Sequence, residues 1–267
     1  MFNKESIEKH FAKMGARVKV RDLSAGRWGS SRSHLLDVRT DKKGEYFDVG
    51  YNPEDDPEML IINVDPADRH LVVLFKDSDG NKERFLCGHD ERSWFVAAVP
   101  GGANTVWEAK EALKPPEARE SQERKGVRKQ KKHKRHNEGY VRQGEWFFIP
   151  HPNMEVSEDK IIRNEPIRRG RGKAHMVEEV FRSGGTTVHR CWKYPDGLTE
   201  EKYKELIKKD PSAKAMNWTV MRRDAAVFCR GKVSHPDHAT IELTFWHRVI
   251  PNTESNASWS TNMAFLD

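Results

Sequence analysis

The sequence predicts an α+β protein in two parts, an N-terminal antiparallel sheet with helices and, after a basic linker, a C-terminal β-rich barrel or sandwich. Three observations predict it. Short apolar runs alternate with polar residues at period two and are cut by turn-forming residues, the pattern of half-buried strands. Only a few stretches carry the wider helical spacing. The third is a charge block: between Glu117 and His136 nine Lys/Arg face three acids, an excess of six that equals the net charge of the whole chain. The remainder is electrically balanced, so the basicity is local.

Element by element, Ser6–Met14 predicts a helix because Ile7, Phe11 and Met14 form one stripe, and Gly15 suits its C-terminal end. Strands are predicted at Leu35–Arg39, Glu45–Gly50, Met59–Asp65, His70–Lys76, Arg84–Cys87 and Ser93–Val99. Asp77-Ser78-Asp79-Gly80 reads as a hairpin turn between two of them. Leu71–Phe75 is continuously apolar, which places that strand centrally. A helix over Asn104–Lys114 is stopped by Pro115-Pro116, with Val106, Trp107, Ala109, Ala112 and Leu113 expected on its buried side. Residues 1–115 thus form the first domain, 116–138 the charged linker, helical at its start or disordered, and 139–267 the second domain. In that second domain strands are predicted around Trp146–Ile149, Ala174–Arg182, Thr186–Lys193, Trp218–Met221, Ala226–Arg230 and Thr240–Ile250, with a helix at Thr199–Lys208. The stretch leading to Ile161-Ile162 reads as loop, and Met263–Leu266 as an apolar tail that docks on the fold.

Composition narrows the function classes. Twenty-five aromatics (12 Phe, 8 Trp, 5 Tyr) suffice for two small cores despite 33% charged residues. No run approaches the apolar length of a membrane span, so no membrane partner is expected. Three widely spaced cysteines and no apolar leader point to a reducing, cytoplasmic setting. The phosphate-binding loop, the Gly-x-Ser-x-Gly elbow and the His-Glu-x-x-His zinc motif are all missing, which leaves enzyme status open.

Two constellations carry chemistry. The first is a set of histidines. His235-Pro236-Asp237-His238 forms a turn on which two imidazoles converge, and alternation along Thr240–Ile250 puts His247 on the inward face. His175 opens another strand. Together His175, His235, His238 and His247 suit a zinc ion, which takes nitrogen ligands tetrahedrally, with Asp237 or Glu242 as carboxylates orienting the rings. The bland alternative is turn histidines at the surface and one core histidine bonded to backbone; Cys191 and Cys229 read as small buried apolar residues. The second constellation is cationic: Arg124, Lys125, Arg128, Lys129, Lys131, Lys132, Lys134 and Arg135 in the linker, and Arg168, Arg169, Arg171 and Lys173 in a glycine-rich stretch. Such blocks hold phosphates by displacing counterions, independently of base sequence.

Tyr140-Val141-Arg142-Gln143-Gly144-Glu145-Trp146-Phe147-Phe148-Ile149-Pro150, with Gly172-Lys173-Ala174-His175 and His235-Pro236-Asp237-His238-Ala239-Thr240-Ile241-Glu242-Leu243, resembles a group of small uncharacterised bacterial and phage proteins. Those open with Arg-Gln-Gly-Asp, continue with Gly-His-x-His and end with His-x-x-His-x-x-Ile-x-Leu. The likeness covers about half the chain and departs at Lys173, where that group has histidine. It implies a β-rich fold with a histidine cluster and carries no activity.

The expectation is therefore a nucleic-acid-associated protein that holds DNA or RNA phosphates through its basic segments, beside a metal-binding β-domain. A cupin-like metal-dependent enzyme with a histidine-lined site is the alternative, and a protein-binding adaptor the third.

Overall fold

The computed structural model describes residues 3–23, 34–55, 57–169, 173–254 and 263–265. The chain is mostly β, with several antiparallel sheets and four α-helices among the described residues. It divides into two compact units: Met1–Glu145 with Asp237–Ala239 and Asn252–Asn256, and Trp146–Pro236 with Thr240–Pro251 and Ala257–Asp267.

In the first unit, helix α1 (Lys4–Lys13) starts at Asn3, whose side chain accepts the Ser6 amide, and ends where Gly15 takes a positive φ of 76°. Strands β1 (Val18–Asp22), β2 (His34–Asp41) and β3 (Gly44–Tyr51) form one sheet in the order β1-β3-β2. The β1–β3 pair is parallel, so this region is not the single antiparallel sheet that the sequence predicts. A second sheet is an antiparallel meander of β4 (Glu58–Asp65), β5 (His70–Lys76), β6 (Lys82–Asp90) and β7 (Ser93–Val99). Its β5 is central, as its unbroken apolar run requires, because both faces are covered. Leu71, Val73 and Phe75 pack with Ile7, Phe11, Phe47 and Val49, while Val72 packs with Leu86, Val106, Ala109 and Leu113.

Helix α2 (Val106–Ala112) begins with a capping box, Thr105 and Glu108 each accepting the other's backbone amide. Val106, Ala109 and Leu113 repeat at helical spacing and are buried. Trp107 falls outside that stripe and is 38% exposed, contrary to its expected place on the buried side. Residues 116–138 fold within this unit. Helix α3 (Pro116–Arg124) starts on proline and buries Ala118, Ser121 and Gln122, which leaves its charges outward. A short hairpin of β8 (His136–Asn137) and β9 (Tyr140–Gln143) follows.

In the second unit, β10 (Trp146–Pro150), β11 (Ile162–Ile167), β12 (His175–Ser183), β16 (Ala226–His235) and β17 (His238–Pro251) lie in the order β11-β12-β16-β17-β10. A further sheet has the order β14-β13-β15-β18, from β13 (Thr186–Cys191), β14 (Tyr194–Thr199), β15 (Thr219–Arg223) and β18 (Met263–Phe265). Helix α4 (Glu200–Lys209) follows β14. Neither sheet closes on itself among the described residues, so the barrel that a cupin-like site requires is not formed. The tail expected to dock does so as β18, which pairs with β15.

The β12–β16 ladder contains one irregularity. Val177 pairs with Val233 and Glu179 with Arg230, so Gly231 and Lys232 oppose the single residue Glu178. This is a β-bulge with Gly231 at φ 83°. The Glu178 carboxylate accepts the Lys232 amide at 2.8 Å. Beyond the bulge Met176 faces Ser234, which carries His175 to the level of His235. No helix among the described residues is long and apolar enough to cross a membrane.

Candidate functional site

The basic segment is an outer layer on a buried polar core. Gln122 donates to the Lys132 carbonyl at 2.8 Å, and the Tyr140 hydroxyl donates to the same oxygen at 2.8 Å. Lys114 is buried; its Nζ reaches Glu111 Oε1 at 2.5 Å and Gln122 Oε1 at 3.2 Å. His133 Nε2 lies 2.6 Å from that same Glu111 oxygen. Burial pushes the Glu111 carboxyl up, but hydrogen bonds from His133 and Lys114 outweigh it and hold the group at about 2. Burial lowers both His133 and Lys114, against the pull of Glu111. Close packing also dictates Gly139, since a Cβ there would stand 2.7 Å from Gln122 Cγ. The chain from 122 to 140 is thereby fixed at several points along its length.

Onto this frame the cations are mounted. Arg124, Lys125, Arg128 and Lys134 are exposed, and among the described residues none of them has an ion-pair partner. Lys131 pairs with Glu138 at 2.5 Å. Arg135 turns away, pairing with Asp90 and, at 2.7 Å, with Glu91. The Lys129 ammonium lies 5.3 Å from the centre of the Trp107 ring, and the His133 ring lies 3.9 Å from it. Trp107 thus stands, part exposed, against the Lys129 ammonium and the His133 ring. In the second unit Arg168 and Lys173 are exposed and Arg169 is half-buried; Arg171 lies outside the described residues.

Three of the four expected histidines come together. Ligand-capable nitrogens of His175, His235 and His238 all lie within 4.8 Å of one another. His175 opens β12 and is 1% exposed. His235 closes β16, its ring stacked on that of His175 at 4.2 Å and 25°. His238 opens β17 directly after the two-residue turn Pro236-Asp237. His247 is not in the group. It is nine residues further along a continuous strand, roughly 30 Å at the usual strand rise. It is buried, with Nδ1 bonded to the Phe245 carbonyl at 2.8 Å and its ring stacked on Phe245 at 4.5 Å. That is a core histidine held by backbone. Of the expected orienting carboxylates, Asp237 occupies the turn and Glu242 is exposed about 13 Å along β17 from His238.

A different carboxylate approaches the cluster. Glu91, in the β6–β7 turn, has Oε2 3.8 Å from His238 Nδ1, and that oxygen accepts the Ala239 amide at 2.5 Å. Its other oxygen holds Arg135. Glu91 has φ 51°, a left-handed conformation uncommon outside glycine. Nothing local in the sequence marks it, because its partners lie far along the chain. Trp107 carried a signal that was available: it breaks the Val106, Ala109, Leu113 spacing. The three cysteines are buried, and burial pushes the Cys87 and Cys229 thiols up, away from the reactive thiolate.

Comparison of the chain with family models, curated proteins and solved structures gives no match, so its functional reading rests on its own residues.

Proposed function

We propose that this protein binds nucleic acid through the folded segment 124–134, with Trp107 as a stacking surface. The observation that carries the reading is the part-exposed Trp107 ring, flanked by Lys129 and His133, together with four exposed cations of the same unit that have no ion-pair partners among the described residues. Cations alone attract phosphates and give non-specific affinity that falls with salt. An aromatic face among them adds base stacking, worth about 1–3 kcal/mol per base, which an intact duplex does not offer. The reading therefore favours single strands over duplex. The ordered frame beneath the cations also supports it, because fewer degrees of freedom are lost when they engage a ligand.

The test is fluorescence anisotropy with labelled single-stranded and duplex oligonucleotides. Removing the segment is unsuitable, since Ala118, Gln122 and Tyr140 are buried in the first unit. Replacing Arg124, Lys125, Arg128 and Lys134 by serine touches only exposed positions. We expect that variant to bind single strands at least tenfold more weakly. Trp107→Ala should weaken single-strand binding by about 1–3 kcal/mol and leave duplex binding nearly unchanged. Equal affinity of wild type and the fourfold variant would contradict the proposal.

A further inference from the structure

We propose that His175, His235 and His238 form a binding site for a divalent first-row transition ion of the zinc type, with one coordination position left to water or an external oxygen ligand. This goes beyond phosphate binding and does not depend on it.

The ligands come from strand ends and a tight turn that the sheet fixes, and the Gly231 bulge sets the register that brings His175 level with His235. Nitrogens bound to a tetrahedral ion at 2.0–2.1 Å stand about 3.4 Å apart. The three nitrogens already lie within 4.8 Å of one another, so small rotations about the side-chain bonds close the set. Chemistry selects the ion. Three imidazoles offer nitrogen only, which suits zinc, cobalt or nickel and disfavours magnesium and calcium, whose ligands are oxygens. Packing holds the rings in place: His175 is 1% exposed and its ring stacks on that of His235.

Glu91 is the positioning residue. Its carboxylate oxygen lies 3.8 Å from His238 Nδ1, where it can orient that ring as carboxylates do behind histidine ligands. The backbone at Glu91 is held in its left-handed conformation while its carboxylate also holds Arg135 and the Ala239 amide. Three protein ligands are the number found where zinc keeps an open position; closed structural sites use four.

The experiment is a cobalt(II) titration of the full-length chain, first stripped with chelator and followed by visible absorption. The proposal expects a tetrahedral-type spectrum saturating at about one equivalent and displaced by zinc. Azide should then alter the cobalt spectrum by entering the open position. His238→Ala and His235→Ala, both at half-buried positions, should each lower cobalt affinity at least tenfold, and Glu91→Gln should lower it by roughly 10–100-fold. His136→Ala, at an exposed position outside the cluster, should bind as wild type. The wild-type titration stands without any variant: no cobalt spectrum, or one that zinc does not displace, overturns the proposal. Unchanged affinity in folded His238→Ala overturns it equally, and a spectrum indifferent to azide overturns the open position.

Discussion

His70 shows what one residue contributes. It is buried against Gly88, where a Cβ would stand 2.3 Å from the imidazole, and its Nδ1 faces the Asp68 carbonyl. Burial, with Lys110 nearby, lowers its pKa to about 4 from 6.5. Between those values the unfolded chain binds a proton that the folded chain does not. Stability is therefore lost as pH falls from about 6.5 to about 4, and rises again toward neutrality. The shift corresponds to at most about 3 kcal/mol. Denaturant titrations of wild type and His70→Gln at pH 7 and pH 4.5 check this: the wild type should lose more stability than the variant over that interval. Gly88→Ala places a methyl where the ring lies, and should lower the melting temperature or displace His70 altogether. At the same scale, Trp107 and His247 show the reach of pattern reading. Alternation placed His247 inward, which it is. The same predicted strand, Thr240–Ile250, also carries His247 nine residues from His238, too far to share one ion.

At the scale of elements, the strongly periodic ones were legible and the edges were not. Helix α1, the Asp77–Gly80 hairpin and central β5 follow from local residues. Strands β11 and β14 contain Pro166 and Pro195-Asp196-Gly197, which read as loop and turn. Both lie at sheet edges, where a strand needs hydrogen bonds on one side only and tolerates proline. The Gly231 bulge was equally hidden. Alternation from His175 predicts Glu179 and Phe181 inward, yet past the bulge it is Val180 that is fully buried. The change of face on β12 falls at Glu178, the residue that opposes the bulge on β16. Gly231 has φ 83°, and a Cβ there would lie 2.6 Å from the Glu178 carboxylate. Gly231→Ala should destabilise the fold by about 1–2 kcal/mol from backbone strain alone. Under the metal proposal it should also weaken cobalt binding by shifting His235. Chemical denaturation measures the first effect and the cobalt spectrum the second.

For the whole molecule, the charge block is the feature that sequence located and folding redefined. Its position and excess of six were readable from counts. Its order was not, because the residues that anchor it are few: Ala118, Ser121, Gln122 and Val127 within it, and Lys114 and Tyr140 on either side. Such sparse apolar content reads as disorder until the partners are in place. The fold turns a charged stretch into an anchored segment whose Lys129 and His133 lie against the Trp107 ring. Salt dependence reads out whether that segment holds phosphates. Affinity for a labelled single-stranded oligonucleotide should be measured from low to moderate salt. Four to six phosphate contacts predict a slope of log K against log salt of roughly −3 to −4, and removing the charges of Arg124, Lys125, Arg128 and Lys134 should flatten it to roughly −1. A wild-type slope near zero, or an equally steep slope in the variant, would contradict the account.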